Sequence, residues 1–177
     1  MPNLLIEKPD SSEHAPYHST YIDLVPPGDL MGIFRSQIEG TLATLRGVSD
    51  TDSLRRYQDG KWSLREVIGH MIDAERIFAY RALRFARNDR TPLPGFDQDP
   101  YIPPAHFDAR PWRGLIDEFA LVRRGNLQMF EGFDAEAWQR RGVASGQEVS
   151  VRAVAYILAG HELHHMRIVR ERYLGGS

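Results

Sequence analysis

The sequence predicts an all-α protein: a four-helix bundle with an N-terminal arm and a long ordered loop between helices 2 and 3. Three observations carry that reading. Four stretches of roughly 18 to 26 residues repeat apolar side chains at three- and four-residue steps, the period of a helix with one buried face. Proline and glycine gather between these stretches more than within them. No segment shows the strong two-residue alternation of a half-buried strand. At a rise of 1.5 Å per residue such helices build a bundle about 30 Å long, an architecture that buries cofactors between facing helices.

Residues 1–27 are rich in Pro, Ser and His and end in Leu24-Val25-Pro26-Pro27, where the prolines fix extended or turning backbone. They read as an arm wrapped over the domain. From Gly28-Asp29, the residues Met31, Phe34, Ile38, Leu42 and Leu45 mark one face of a first helix, with Arg35, Ser36 and Glu39 on the other. Asp29 is its expected N-cap and Gly47 its stop. Asp50 to Lys61 is a connection, with turn chemistry in Tyr57-Gln58-Asp59-Gly60. Ser63-Leu64-Arg65-Glu66 is a capping box that starts the second helix sharply. Its stripe of Leu64, Val67, Ile68, Met71, Phe78, Ala82 and Phe85 carries it to about Asn88, with His70 on the edge of the stripe. Tyr80, Arg81 and Arg84 read as a solvated face of that helix in preference to contacts with an anionic substrate.

Pro92, Pro94, Pro100, Pro103, Pro104 and Gly95 leave no room for a regular element between Asn88 and Asp108. A loop of about twenty residues is long for a compact domain, and such loops are usually functional or disordered. Phe96, Tyr101, Ile102 and Phe107 supply the apolar surface to pin it, so we expect an ordered lid whose Asp97 and Asp99 face a pocket. The third helix runs from Arg110 or Pro111 to Glu131, with Trp112, Leu115, Phe119, Val122 and Met129 inward. Asn126 interrupts that face and must find a partner, either beside the functional site or on a neighbouring helix. Asp134 caps a short helical piece reaching Trp138, and Arg140 to Glu148 forms a hairpin or loop. The last stretch, Val149 to Tyr173, carries an apolar seam through Val151, Val154, Leu158 and Ile168 that also passes through His161 and His165.

At 177 residues the chain is expected to form one domain, 1–177. A hydrophobic fraction of 42% and a charged fraction of 26% are ordinary for a soluble protein, and a net charge of -2 gives no electrostatic basis for nucleic-acid binding. No cysteine is present, so disulfides, thiolate ligands and a cysteine nucleophile are excluded, and any thiol chemistry needs a thiol co-substrate. The N-terminus lacks the pattern of a signal peptide, and no stretch nears about 18 uninterrupted apolar residues. A cytoplasmic protein acting on a small molecule, with no membrane or nucleic-acid partner, is expected. Pairing into a homodimer through an exposed helix face is compatible with this fold.

Four residues apart on a helix, His161 and His165 lie one turn above the other, close enough to ligate one divalent ion at roughly 2.0–2.1 Å. Two imidazoles in an apolar seam without a metal would each need another hydrogen-bond partner. A third ligand must come from another helix, and His70 is the best placed. His14 and His18 sit in the arm, His106 in the proline-rich loop, and His164 is rotated about 100° from His165. Three neutral imidazoles leave positions open for water or substrate, the arrangement that activates water or stabilises a developing anion or thiolate. Affinity should then fall as pH drops through roughly 6.5. Asp73, Gln37, Asn126 and Asp97 are candidates to contact the ligands or the substrate. His161-Glu162-Leu163-His164-His165 also spells the zincin pattern His-Glu-x-x-His, but only twelve residues follow and no strand pattern offers the sheet edge of a protease. Glu162 is therefore expected on the surface beside a bundle site. A non-catalytic module that holds a metal or small ligand is the alternative to an enzyme.

The segments Gly60-Lys61-Trp62-Ser63-Leu64-Arg65-Glu66-Val67-Ile68-Gly69-His70-Met71-Ile72-Asp73-Ala74-Glu75-Arg76, Leu93-Pro94-Gly95-Phe96-Asp97-Gln98-Asp99 and Gly160-His161-Glu162-Leu163-His164-His165 together resemble the DinB-like superfamily. The resemblance covers most of the chain from about Tyr17. It implies a four-helix bundle with an unusual connection order and a divalent ion, zinc or nickel, held by His70, His161 and His165. It further implies a metal-dependent enzyme: relatives include transferases and isomerases that use the thiols bacillithiol or mycothiol, and others carry the label of metal-dependent hydrolase.

Overall fold

The computed structural model describes residues 5–175, so the first four residues of the arm lie outside the described residues. Among the described residues, three of the four long helices start at a side chain that accepts from their free N–H groups, and the fourth starts after Pro111 with no such cap. The Asp29 carboxylate accepts from the N–H of Met31 at 3.1 Å and of Gly32 at 3.0 Å, and opens α1, Leu30–Arg46. Ser63 and Glu66 form the reciprocal capping box that opens α2, Leu64–Ala86. Two further long helices follow, α3 at Trp112–Glu131 and α4 at Val151–Ile168. The last stretch thus begins two residues later than Val149, because Ser150 caps α4 and Val149 belongs to a strand. A wider π turn, Val169–Tyr173, extends α4.

α1 packs against α3 and α4, and α2 packs against the same two, so α1 and α2 occupy opposite corners of the bundle. Trp112 at the start of α3 donates its indole N–H to Leu45 O at 3.3 Å and Val48 O at 3.2 Å, locking the end of α1 to α3. Between α3 and α4, Asp134 caps a short helix, Ala135–Gln139, and the chain then makes the hairpin that the sequence left open as hairpin or loop. Strands β1, Arg141–Ala144, and β2, Gln147–Ser150, pair antiparallel with Arg141 opposite Ser150 and Ala144 opposite Gln147. Ser145 and Gly146 both take positive φ at its two-residue turn, the backbone that matches the twist of a tight hairpin.

The proline-rich loop departs from its expected irregularity. Short helical turns occur at Asp99–Tyr101, Ile102–Ala105 and Phe107–Ala109, because Pro100 and Pro103 sit near turn starts, where a missing N–H costs little. The loop is fixed at its base: Leu93 N–H donates to Val143 O at 2.8 Å and Leu93 O accepts from Ser145 N–H at 3.1 Å. Among the described residues, no helix is long and apolar enough to cross a membrane.

The apolar core falls into two clusters. One gathers Phe34, Phe85, Phe130 and the first turns of α4 with arm residues such as Ile22. The other gathers Ile38, Leu42, Ile68, Trp112 and Phe119 with Met166 and Tyr173. Between them lie buried polar side chains from all four helices: Thr41, His70, Glu75, Arg123, His161 and Glu162.

The arm reaches this polar layer at Gly160. A Cβ there would lie 2.0 Å from Tyr21 O and 2.4 Å from Tyr21 C, backbone atoms that cannot swing aside. Gly160→Ala is therefore expected to cost about 1–3 kcal/mol, as overpacking does. Gly40→Ala, where an added Cβ meets nothing within 4 Å, should instead gain about 0.5–1 kcal/mol by helix propensity. Urea unfolding of both variants checks the contrast, and equal midpoints would show that the arm does not press on α4.

Candidate metal centre

His70, His161 and His165 meet inside the bundle. The spacing of four along α4 stacks His161 under His165, and the packing of α2 on α4 brings His70 against both. The Nε2 atom of His161 lies 3.0 Å from Nε2 of His70 and 3.0 Å from Nε2 of His165. Ligand atoms of all three lie within 4.8 Å of one another. Tyr21 from the arm packs edge-on to His161 at 5.4 Å, and Trp62 covers His70 at 5.2 Å, so apolar surface surrounds the rings.

Hydrogen bonding alone satisfies this arrangement poorly. A neutral imidazole nitrogen carries either one proton or one lone pair, so Nε2 of His161 can make an ordinary hydrogen bond to one neighbour but not to both. A divalent cation accepts all three lone pairs at once, so the donor set fits one.

Burial also keeps the rings neutral. Desolvation, reinforced by the charge of His164, lowers His70 to about 4. Desolvation first, then the neighbouring imidazoles, drives His161 and His165 well below the usual histidine value. An imidazole whose folded-state pKa is depressed is charged only in the unfolded chain between that pKa and about 6.5. Unfolding then takes up protons, and stability falls as pH falls. For His70 the window runs from about 6.5 down to about 4, and each such ring contributes a slope of up to about 1.4 kcal/mol per pH unit. Urea midpoints of metal-free protein between pH 7 and 4 should fall accordingly, and a flat profile would contradict the burial of these rings.

A cavity of about 380 Å³ opens beside the centre, with His70 and His161 in its wall. α2 supplies one side through Ala74, Phe78 and Arg81, and the arm supplies another through Tyr17, His18 and Tyr21. Asp97 and Asp99 stand exposed at its edge, as expected of the loop. The sequence wraps the arm over the domain but gives no sign that Tyr17, His18 and Tyr21 line the cavity. Burial first, then the charges of His14 and Arg81, lowers His18 to about 4, and its Nδ1 is buried without a protein partner.

Three expectations change. Glu162 is not on the surface: it is 2% exposed and points away from the histidines, accepting from Thr41 Oγ1 at 2.6 Å and pairing with Arg123 Nη1 at 2.8 Å. It cannot serve as the base of a zincin, and the reason is its rotation on α4 toward α1 and α3. Arg81 is not a solvated residue: it is 6% exposed, whereas Tyr80 and Arg84 pair with each other near the surface. The groups suggested around the centre also divide. Asn126 donates to Glu75 Oε2 at 2.8 Å, the neighbouring-helix alternative, and Gln37 donates to Ala159 O at 3.1 Å. Asp73, whose carboxyl is raised by burial, is absent from the cavity wall, and Asp97 is part of it. One signal for Arg81 was available: it follows His70 by eleven positions, about 20° from alignment after three turns.

The sequence profile of the DinB superfamily matches residues 33–169. A curated protein of Oceanobacillus iheyensis, named "Putative metal-dependent hydrolase", is 24% identical over an alignment of 136 positions that covers 72% of this chain and 73% of that one. Among solved structures, YfiT from Bacillus subtilis, described as "a probable metal-dependent hydrolase with an unusual four-helix bundle topology", aligns with a TM-score of 0.65 at 14% identity. That alignment covers 97% of this chain and 95% of YfiT.

Proposed function

This chain belongs to the DinB superfamily, and on that premise we propose that it is a metal-dependent enzyme in which His70, His161 and His165 hold a divalent ion, zinc or nickel. Its substrate is a small molecule bound in the adjoining cavity, and the reaction is hydrolysis or transfer to a thiol co-substrate. The observation that carries this reading is the convergence of three neutral ring nitrogens on one point beside an open cavity. The name borne by the Oceanobacillus relative supports hydrolysis.

A bound divalent ion supplies Lewis acidity, which polarises a substrate oxygen or sulfur and eases loss of its proton. The protein's own part is to keep the three imidazoles neutral by burial, to exclude water from their ring faces with Tyr21 and Trp62, and to orient the substrate. The Tyr21 phenol is pushed up by burial first and by its hydrogen bond with Tyr17, 2.9 Å away. It keeps its proton at neutral pH and acts as a hydrogen-bond donor at the cavity wall, not as a base.

Elemental analysis of freshly purified protein, followed by assay on ester and amide panels with and without a low-molecular-weight thiol, tests the proposal. Stoichiometric metal and turnover lost on chelation are expected, and metal-free protein with unchanged turnover would overturn it. The structure also shifts the pH at which metal should be lost. With His70 lowered to about 4 by desolvation, protons compete with the ion only well below pH 6.5. Metal affinity at pH 6 should therefore match that at pH 7 within about threefold and drop steeply nearer pH 4, readable by titration with a chromophoric chelator.

A further inference from the structure

We infer that Arg81 is the anchor for an anionic group, of the carboxylate or phosphate class, on the molecule that occupies the cavity. The inference deepens the proposed function by naming its substrate class, and it rests on that reading for the cavity being the substrate's.

Among the described residues three arginines are buried: Arg65, Arg81 and Arg123. Arg65 pairs with Asp50 at 2.7 Å, and Arg123 is held between Glu75 and Glu162. Among the described residues, Arg81 pairs with no carboxylate. It donates only through Nη2, to Pro94 O and to Ser145 Oγ, each at 3.1 Å. Both acceptors are neutral, and the donors on Nη1 and Nε remain. A buried cation without a counter-ion is costly, and natural proteins hold one where a ligand supplies the missing charge.

The guanidinium is also held in position. Phe78 and Phe96 flank it, with ring centroids 5.3 Å and 5.8 Å from Cζ, so its rotamer is constrained before anything binds. Arg81 borders a second, more apolar cavity of about 290 Å³ across the Leu93–Phe96 segment. Its charge nevertheless acts on His18, which lines the first cavity, the one containing His70 and His161. The buried, unpartnered Nδ1 of His18 adds a neutral polar atom to the same wall. Asp97 and Asp99 do not neutralise Arg81; they are exposed at the edge, where water and salt screen them. The planar fork, the aromatic walls and the nearby histidines together suit a small molecule with an apolar body and one anionic end.

Three probes of one shape test this: phenylacetate, phenyl phosphate and the neutral phenylacetamide, titrated into metal-loaded protein and followed by NMR. At least one anion should bind tenfold or more tightly than the amide, and the preferred anion tells carboxylate from phosphate. Arg81→Met, which can still pack between Phe78 and Phe96, should abolish the preference while metal content stays unchanged. Arg81→Gln keeps donors for Pro94 O and Ser145 Oγ and should behave alike, so a folding defect of one variant leaves the other as the test. In His164→Ala, a histidine of the same helix as His161 that belongs neither to the cluster nor to the cavity wall, anion affinity should stay within about threefold. A wild-type protein with no preference for either anion overturns the inference, and so does a preference that survives Arg81→Gln. Anion binding lost in His70→Ala but kept in Arg81→Met also overturns it, by placing the anion at the histidines. An anion preference that depends on Arg81 in a protein that never takes up metal would uphold the anchor and defeat the metal reading instead.

Discussion

Replacing His161 by alanine is expected to abolish turnover and lower metal affinity by more than about 100-fold. Loss of a group that only orients a metal ligand costs 10–100-fold, and loss of a ligand itself costs more. His161 is the choice because its Nε2 lies 3.0 Å from those of both other histidines, so its removal takes the central nitrogen out of the cluster. His164→Ala is the control, since that ring is on the same helix but packs against Tyr21 and is absent from the cluster. The ion should also stabilise the fold. At a free metal concentration 100 times its Kd, the wild type gains about 2.7 kcal/mol, and the His161 variant should gain almost nothing. Thermal unfolding with and without added metal reads this difference. A His161 variant that melts higher on metal addition by as much as the wild type would place the ion elsewhere.

Arg123→Met is expected to be the most destabilising single change in the core, at about 3–5 kcal/mol. The side chain is 1% exposed, lies over the Phe34 ring at 4.8 Å, and carries the one positive charge between Glu75 and Glu162. Methionine fills much of the volume but leaves two carboxylates buried without a cation. Glu162 already shows the direction: burial raises its carboxyl despite Arg123. A carboxyl raised in the folded state binds its proton more tightly there than in the unfolded chain, so its contribution to stability grows as pH falls toward about 4.5. The Arg123 variant should therefore recover part of its loss between pH 7 and 5. The triple change Arg123→Met, Glu75→Gln and Glu162→Gln should recover most of it at pH 7, because the charges leave together. Urea denaturation at both pH values is the measurement, and a loss under 1 kcal/mol for the single variant would show that water reaches these carboxylates.

The bundle was legible because its signals are local. Asp29, Ser63 and Asp134 cap the helices that the sequence assigns to them. The histidine centre was legible for the same reason on α4, where a spacing of four is itself geometry, and His70 followed as the inward histidine of another helix. What escaped depends on pairs of residues far apart along the chain. Nothing in the letters around Glu162 says that Arg123 faces it, and an acidic residue in a helix is by default assigned to solvent. Arg81 was misassigned by the same rule, because its burial comes from the loop residue Phe96 and the hairpin residue Ser145 folding over it. The hairpin stayed open because a four-residue strand with a polar turn gives too short a pattern to tell from a loop.

The three imidazoles stand on long helices, whereas much of the cavity wall, from Tyr17 and Tyr21 to Phe96 and Asp97, belongs to the arm and the proline-rich loop. Helices locked by a shared core tolerate little change, and surface connections tolerate a great deal. Reactivity and selectivity are thereby inherited on separate parts of one polypeptide. Fitting a molecule with a different body would take new letters in those two segments, whereas changing its charged end would take one in α2, where Arg81 stands.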